Sequence, residues 1–169
     1  PRRNEVKLLL LADVGGSMTP YSQLTSLLFS AAHQASHFKA FKSYYFHNCP
    51  YSKLYEDMSR RKYAKTADVL KQLDSSWRCI IVGDAAMAPY ELMDPGGASD
   101  MFFTNAESGL HWLHRIAETI PRTVWLNPDP PKYWNSYYTV RVIADLFDMF
   151  PLTLYGLDDS IRALRTKQI

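Results

Sequence analysis

Two aspartates stand where this chain has most reason to do chemistry. Asp13 closes the apolar run 6–12 (VKLLLLA), and Asp84 follows the run 78–82 (RCIIV) after Gly83. A carboxylate at the end of a buried strand loses water. Two of them side by side are tolerated best when a cation neutralises both. Beside the first, the chain reads Asp13-Val14-Gly15-Gly16-Ser17-Met18. The glycines allow a tight turn that points the Ser17 hydroxyl back towards Asp13. Carboxylates, hydroxyls and water are the hard oxygen ligands that suit Mg²⁺, in an octahedron with positions to spare. A helix start expected just after Ser17 turns its positive end to the same place, so the attraction for a cation must come from the carboxylates. The plainer alternative makes Asp13 the cap of a turn and Gly15, Gly16 and Ser17 turn residues.

Other residues invite weaker readings. His33 and His37 are spaced i, i+4, and His111 and His114 i, i+3, so either pair suits zinc. No cysteine or carboxylate set completes such a site, and surface histidines are expected. Arg60, Arg61, Lys62 and Lys65 form a basic run. It reads as a solvated loop, or as a collar that draws an acidic partner surface. It is too short to argue for nucleic acid. Tyr133, Trp134, Tyr137 and Tyr138 are expected to pack at the start of a helix.

These residues need a frame. Strand-like runs are expected over 6–12, 41–47, 78–82, 122–126 and 152–155, with a short antiparallel return at 51–55. Helices are expected from Thr19 (N-cap) and Pro20 onward with Leu24, Leu27, Leu28, Ala31, Ala35 and Phe38 on one face, and over 66–73, 106–118, 136–147 and 158–165. Alternating strands and helices imply an α/β fold: a doubly wound, mostly parallel six-stranded sheet with helices on both faces. Such sheets bind ligands beyond the carboxyl ends of their strands, where the strand order reverses. Asp13 and Asp84 are expected on that edge.

The bulk properties agree. A length of 169 residues suits one domain, here 1–169. The net charge of +2 is too small to argue for nucleic acid or a membrane surface. No apolar run reaches the ~18 residues of a membrane span, and no stretch reads as a signal peptide. Two cysteines, Cys49 and Cys79, do not make a disulfide framework, so a cytoplasmic setting is expected. The chain opens Pro1-Arg2-Arg3 with no Met, so a piece of a longer protein is expected.

The residues around Asp13 resemble a family. Asp13-Val14-Gly15-Gly16-Ser17-Met18 is similar to the first motif, D-x-S-x-S, of the metal-ion-dependent adhesion site (MIDAS) of von Willebrand factor A (VWA) domains. Thr66, in Lys65-Thr66-Ala67-Asp68, resembles the second motif, and Asp84 the third. Residues 124–128 (VWLNP), Trp134 and 152–157 (LTLYGL) resemble a narrower group, the bacterial CoxE-like VWA proteins. The resemblance covers essentially the whole chain. It implies a Rossmann-like fold and a divalent cation, Mg²⁺ (or Mn²⁺ or Ca²⁺), held by Asp13, Ser17, Thr66 and Asp84. It implies no catalysis: the open position on the ion accepts a carboxylate from a protein partner, for the CoxE-like group a MoxR-type AAA+ ATPase. Gly15, Met18, Arg60 and Arg61 would then face that partner. No small-molecule substrate, nucleic acid or membrane is implied. Gly15 stands where the usual motif has its first Ser, so one hydroxyl ligand is missing and water takes its place.

The rival from another class is a Mg²⁺-dependent phosphatase of the haloacid-dehalogenase type, which also sets an Asp after its first strand and a Gly-Asp pair after a later one. Its nucleophile motif needs a second Asp two residues on, and that position is Gly15. Phosphate-binding loops of the G-x-x-x-x-G-K-[ST] or G-x-G-x-x-G kind do not follow the first strand. Ser17 does not sit on a G-x-S-x-G elbow. No hydrolase activity is expected.

Overall fold

The first strand, β1 (Lys7–Asp13), is buried along every residue but its first. Its unbroken apolar run requires that of a strand covered on both faces. The computed structural model describes residues 6–34, 38–97 and 106–165. After β1 come a 3-10 turn (Gly16–Tyr21), α1 (Ser22–Gln34), β2 (Ala40–Phe46), β3 (Lys53–Tyr55), β4 (Tyr63–Lys65), α2 (Thr66–Lys71), β5 (Trp77–Val82), α3 (Pro89–Met93), α4 (Gly109–Thr119) and β6 (Thr123–Asn127). A second 3-10 turn (Pro131–Ser136), α5 (Tyr138–Leu146), β7 (Asp148–Pro151) and α6 (Leu154–Arg165) complete the order.

The sheet has seven strands in the order β4-β3-β2-β1-β5-β6-β7. Strands β2, β1, β5, β6 and β7 run parallel, while β3 and β4 form an antiparallel edge beside β2. The chain leaves β1 through β2, β3 and β4 on one side. It then crosses to the other flank with β5 and continues through β6 and β7. The order therefore reverses between β1 and β5, the place where such sheets leave a crevice.

Alternate residues of β1 serve two clusters, as the strand period of two requires. Leu9 and Leu11 join Val69 and Leu70 of α2, Leu92 of α3, Leu113 and Ile116 of α4, and Val140 and Ile143 of α5. Leu8, Leu10 and Ala12 join Met18, Leu28 of α1 and Leu164 of α6. Trp125 of β6 is fully buried between Phe46 and Phe147, with ring centroids 6.4 and 6.1 Å away.

Several expected elements are corrected. The sheet has seven strands rather than six, because β4 returns beside β3 through a hairpin; its three residues are too few to show an alternation. The last strand is β7 at Asp148–Pro151, not 152–155, and α6 begins at Leu154 with Gly156 inside its first turn. The amide of Gly156 donates to the Thr153 hydroxyl at 3.0 Å, a capping bond that outweighs the glycine as a breaker. Asp158 and Asp159 thus lie past the first turn, while Arg162 and Arg165 do fall in the last. The expected helix 136–147 is shorter, and a 3-10 turn precedes it. Helix α3 was not anticipated. Thr19 is no N-cap: it and Pro20 lie within the 3-10 turn that starts at Gly16. On α1, Thr25 and Leu28 turn inward, while Leu24 and Leu27 are exposed. The side chain of Ala31 and the whole of Ala35 lie outside the described residues, as do the side chains of His33 and His37.

Among the described residues, no helix is long and apolar enough to cross a membrane. Cys49 and Cys79 are buried free thiols. Burial pushes both thiol pKa values up, and the negative charges of Asp13 and Glu91 add to the effect at Cys49.

Candidate cation site at the carboxyl edge of the sheet

The pairing of Ala12 with Val82 across β1 and β5 brings the two aspartate loops together. Asp13 is 3% exposed and Asp84 5%. Gly83 lies between them, and the packing explains the glycine. A β-carbon there would sit 3.3 Å from the Asp13 β-carbon and 3.2 Å from Cζ2 of Trp125. The Ser17 hydroxyl donates a short hydrogen bond to Oδ2 of Asp84, 67 positions away in the chain. Oδ1 of Asp84 accepts from the Ala86 amide at 3.1 Å. Oδ1 of Asp13 accepts from the Asn48 amide at 3.0 Å. Asp13, Asp84 and Ser17, three of the four residues expected as ligands, thus lie together at the carboxyl edge. Ser17 turns to Asp84, however, not to Asp13.

The hydroxyl of Thr66 is bonded elsewhere. Thr66 is the first residue of α2, fully buried, and its hydroxyl donates to the Tyr51 carbonyl at 2.5 Å. Its amide donates to Ser52 at 2.9 Å. It braces the segment after β2 rather than either aspartate, and the helix cap is Lys65.

The residues expected to face a partner divide. Gly15 is exposed, with φ +81° and ψ 178°, a region open essentially to glycine alone. The missing serine of the usual motif is therefore not a simple replacement on an unchanged backbone. Met18 is a correction: it is 1% exposed and packs with Leu10, Val82 and Leu126. Its apolar chain anchors the turn in the core and leaves no surface for a partner. Arg60 and Arg61 are exposed in the β3–β4 hairpin. Asp57 shapes that hairpin by accepting from the Ser59 hydroxyl at 2.6 Å and from the Arg61 and Lys62 amides, each at 3.1 Å. These bonds hold its carboxyl down at about 2. Of the two arginines, Arg60 is the one whose charge acts on Asp13.

Sequence reasoning missed the supports. Asn127, fully buried at the end of β6, donates to the Asp84 carbonyl at 2.9 Å. Thr139 of α5 donates to the Ala85 carbonyl at 2.8 Å and accepts from the Met87 amide at 3.2 Å. Ala85, with φ +62°, is held in a left-handed conformation between these bonds. His47 puts Nδ1 3.0 Å from the Val14 carbonyl, so that nitrogen carries the proton. Its ring also faces Gly15 and Gly16. In the sequence Asn127 stands out only within the run 124–128 that resembles the CoxE-like proteins. A polar residue that closes the apolar run 124–126 was the available signal. Asp129 is a further carboxylate here; burial raises its pKa, and the charge of Asp84 adds to this.

Burial pushes the Asp13 pKa well above the usual carboxylate range. The Asn48 amide opposes this, Asp84 adds to it, Arg60 opposes it and Glu91 adds to it. Two buried carboxylates and a hydroxyl form a hard-oxygen donor set that fits Mg²⁺ or Mn²⁺, with water filling the remaining positions. Among the described residues, no group of three or more His, Cys, Asp or Glu side chains is arranged to hold a metal by itself. That includes His111 and His114, both exposed on α4.

The rim of this edge carries exposed aromatic surface. Tyr133 and Tyr137 are about half exposed, and Leu154 and Tyr155 at the start of α6 are 83% and 85% exposed. Trp134 instead packs inward and donates to the Asp129 carbonyl at 2.8 Å. Comparisons of the chain with models of known families, with curated proteins and with solved structures found no match.

Proposed function

We propose that this chain is a cation-dependent protein-interaction module of the VWA type, doubly wound and Rossmann-like, and not an enzyme. One observation carries the reading: Asp13 and Asp84 lie buried side by side where the strand order reverses, with Ser17 bonded to one of them. Asp13, Asp84 and Ser17 would hold Mg²⁺, or Mn²⁺ or Ca²⁺ in its place. Thr66 would act from behind, by bracing the segment after β2. An ion with open positions supplies local positive character, and a carboxylate on a partner protein is the natural group to complete its shell. Arg60 and Arg61 would steer that acidic surface inward, mainly through the on-rate. The resemblance to CoxE-like proteins points to a MoxR-type AAA+ ATPase as the partner. The phosphatase alternative lacks the aspartate it needs two residues after Asp13, since Gly15 occupies that position.

Calorimetric titration with Mn²⁺ tests the ion, comparing the wild type with Asp13→Asn and Asp84→Asn. Saturable binding that both substitutions abolish is expected. Absence of binding to the wild type, or equal binding by the variants, would overturn the reading. Co-purification with the ATPase, with and without chelator, tests the partner.

A further inference from the structure

Glu91 is a buried carboxylate in the loop system of this edge. It lies in the first turn of α3, and Oε2 accepts from the Ala88 amide at 3.0 Å. A helix-capping role would explain that bond alone. Its other oxygen reaches away from the helix, where Oε1 accepts from the Asn48 side-chain amide at 3.2 Å. Asn48 is the residue whose backbone amide donates to Oδ1 of Asp13. It holds φ +64°, a left-handed conformation that asparagine tolerates better than most residues. The Tyr51 hydroxyl fastens the same helix by donating to the Glu91 carbonyl at 2.7 Å. One side chain thus links the loop after β5 to the loop after β2, and through it to the carboxylate that ends β1.

We propose that Glu91 is a positioning residue for the cation site: by gripping the Asn48 side chain it holds the Asn48 amide on Oδ1 of Asp13, so that Asp13 offers its second oxygen to the ion. This rests on the cation reading of Asp13 and Asp84. The physical reason is orientational. A monodentate ligand whose second oxygen is fixed by a rigid donor loses little freedom when an ion arrives, and partners of this kind set ligand direction in metal sites. Glu91 also adds a negative charge that the ion feels without contact. Its charge acts on Asp13, Cys49 and Tyr51 alike, which places it inside the field of the site.

The test measures Mn²⁺ affinity by calorimetry and by electron paramagnetic resonance on the whole chain. The proteins are the wild type, Asp13→Asn, Asn48→Gly, Glu91→Gln and the Asn48→Gly/Glu91→Gln double variant. Asn48→Gly keeps the backbone amide and permits the left-handed φ but cuts the link to Glu91. It therefore decides the matter even if Glu91→Gln loosens α3. Asn48→Gly is expected to weaken Mn²⁺ about 10- to 100-fold, the usual consequence of losing an outer-shell partner. The double variant should be little weaker than Glu91→Gln, because both act through one link. If the wild type binds, Asp13→Asn does not, and Asn48→Gly binds like the wild type, the Glu91 proposal falls and the cation reading stands. Effects of the two substitutions that simply add also overturn it. If the wild type does not bind Mn²⁺, both ideas fall together.

Discussion

The loop after β5 is pinned from several sides, whereas the loop after β1 is shaped by its own backbone. From Asp84 to Ala88, bonds from Asn127, Thr139 and Glu91 fix carbonyls and amides, and Ala85 is held at positive φ without being a glycine. From Val14 to Ser17, two glycines at φ +81° and +54° make the turn, Met18 anchors its end and His47 supports the Val14 carbonyl. Asp84 is thus set before any ligand arrives. Ser17 sits on an exposed glycine turn and is tied to the rest of the site through its hydrogen bond to Asp84. On the proposed cation reading, the β5 loop would supply a fixed ligand and the glycine turn one held by fewer bonds.

The largest effect should come from loosening the pinned side. Asn127→Leu leaves the buried Asp84 carbonyl without its donor, which costs about 1–3 kcal/mol. In a domain of this size each kcal/mol lowers Tm by roughly 2–4 °C. Mn²⁺ affinity should fall with it, because Asp84 loses its fixed direction. Thr139→Val should act the same way, and the two together should be less than additive because they brace one loop. An unchanged melting curve for Asn127→Leu would break the comparison.

The side held by fewer bonds is probed by glycine. Gly15→Ser adds the hydroxyl of the usual motif but forces a side chain onto backbone that only glycine adopts readily, a strain of about 1–3 kcal/mol. Lower stability and no gain in Mn²⁺ affinity are expected. Gly16→Asn, at a φ that asparagine accepts, should cost less. Tighter ion binding by Gly15→Ser would show that the turn rearranges freely.

Acidity offers a third contrast. The pKa of folded Asp13 lies above its unfolded value, so its contribution to stability is complete below the unfolded value and is lost as pH rises through the folded one. Without a divalent ion, Tm should therefore decline as pH rises across that window, and Asp13→Asn should flatten the decline. Saturating Mn²⁺ should reverse it, because the ion requires the ionised carboxylate. Parallel melting curves with and without Mn²⁺ would contradict this.

The smallest effect on stability is expected at the hairpin. Arg60→Glu and Arg61→Glu should each stay within about 0.5 kcal/mol of the wild type, as exposed substitutions do. Association with an acidic partner should nevertheless slow, more for Arg60, whose charge reaches Asp13. Added salt should erase the difference between them. Stopped-flow association rates at two ionic strengths measure it.

Much of this architecture was legible without coordinates. The apolar run ahead of Asp13 had to be a strand covered on both faces, and the alternation of strand-like and helical segments implied a largely parallel sheet. Parallel strands put their carboxyl ends on one edge, so two aspartates just past such runs had to fall on the same side. The glycine pair after Asp13 likewise marked a turn. These features depend on local periodicity and on backbone chemistry, which the order of residues expresses directly.

Only the tertiary structure decided what surrounds the aspartates. Asn127 meets Asp84 across 43 positions, Glu91 meets Asn48 across 43 and Thr139 meets Ala85 across 54. No local pattern announces a bond between residues so far apart, because the partner is chosen by which loops the sheet order brings side by side. The same holds for the burial of Met18, the inward face of α1 and the sign of φ at Gly15, each set by what packs above or beneath it. Short elements also escaped. In β4 and β7, three or four residues carry too little periodicity to compete with their neighbours, and pairing along an existing strand edge is what makes them strands.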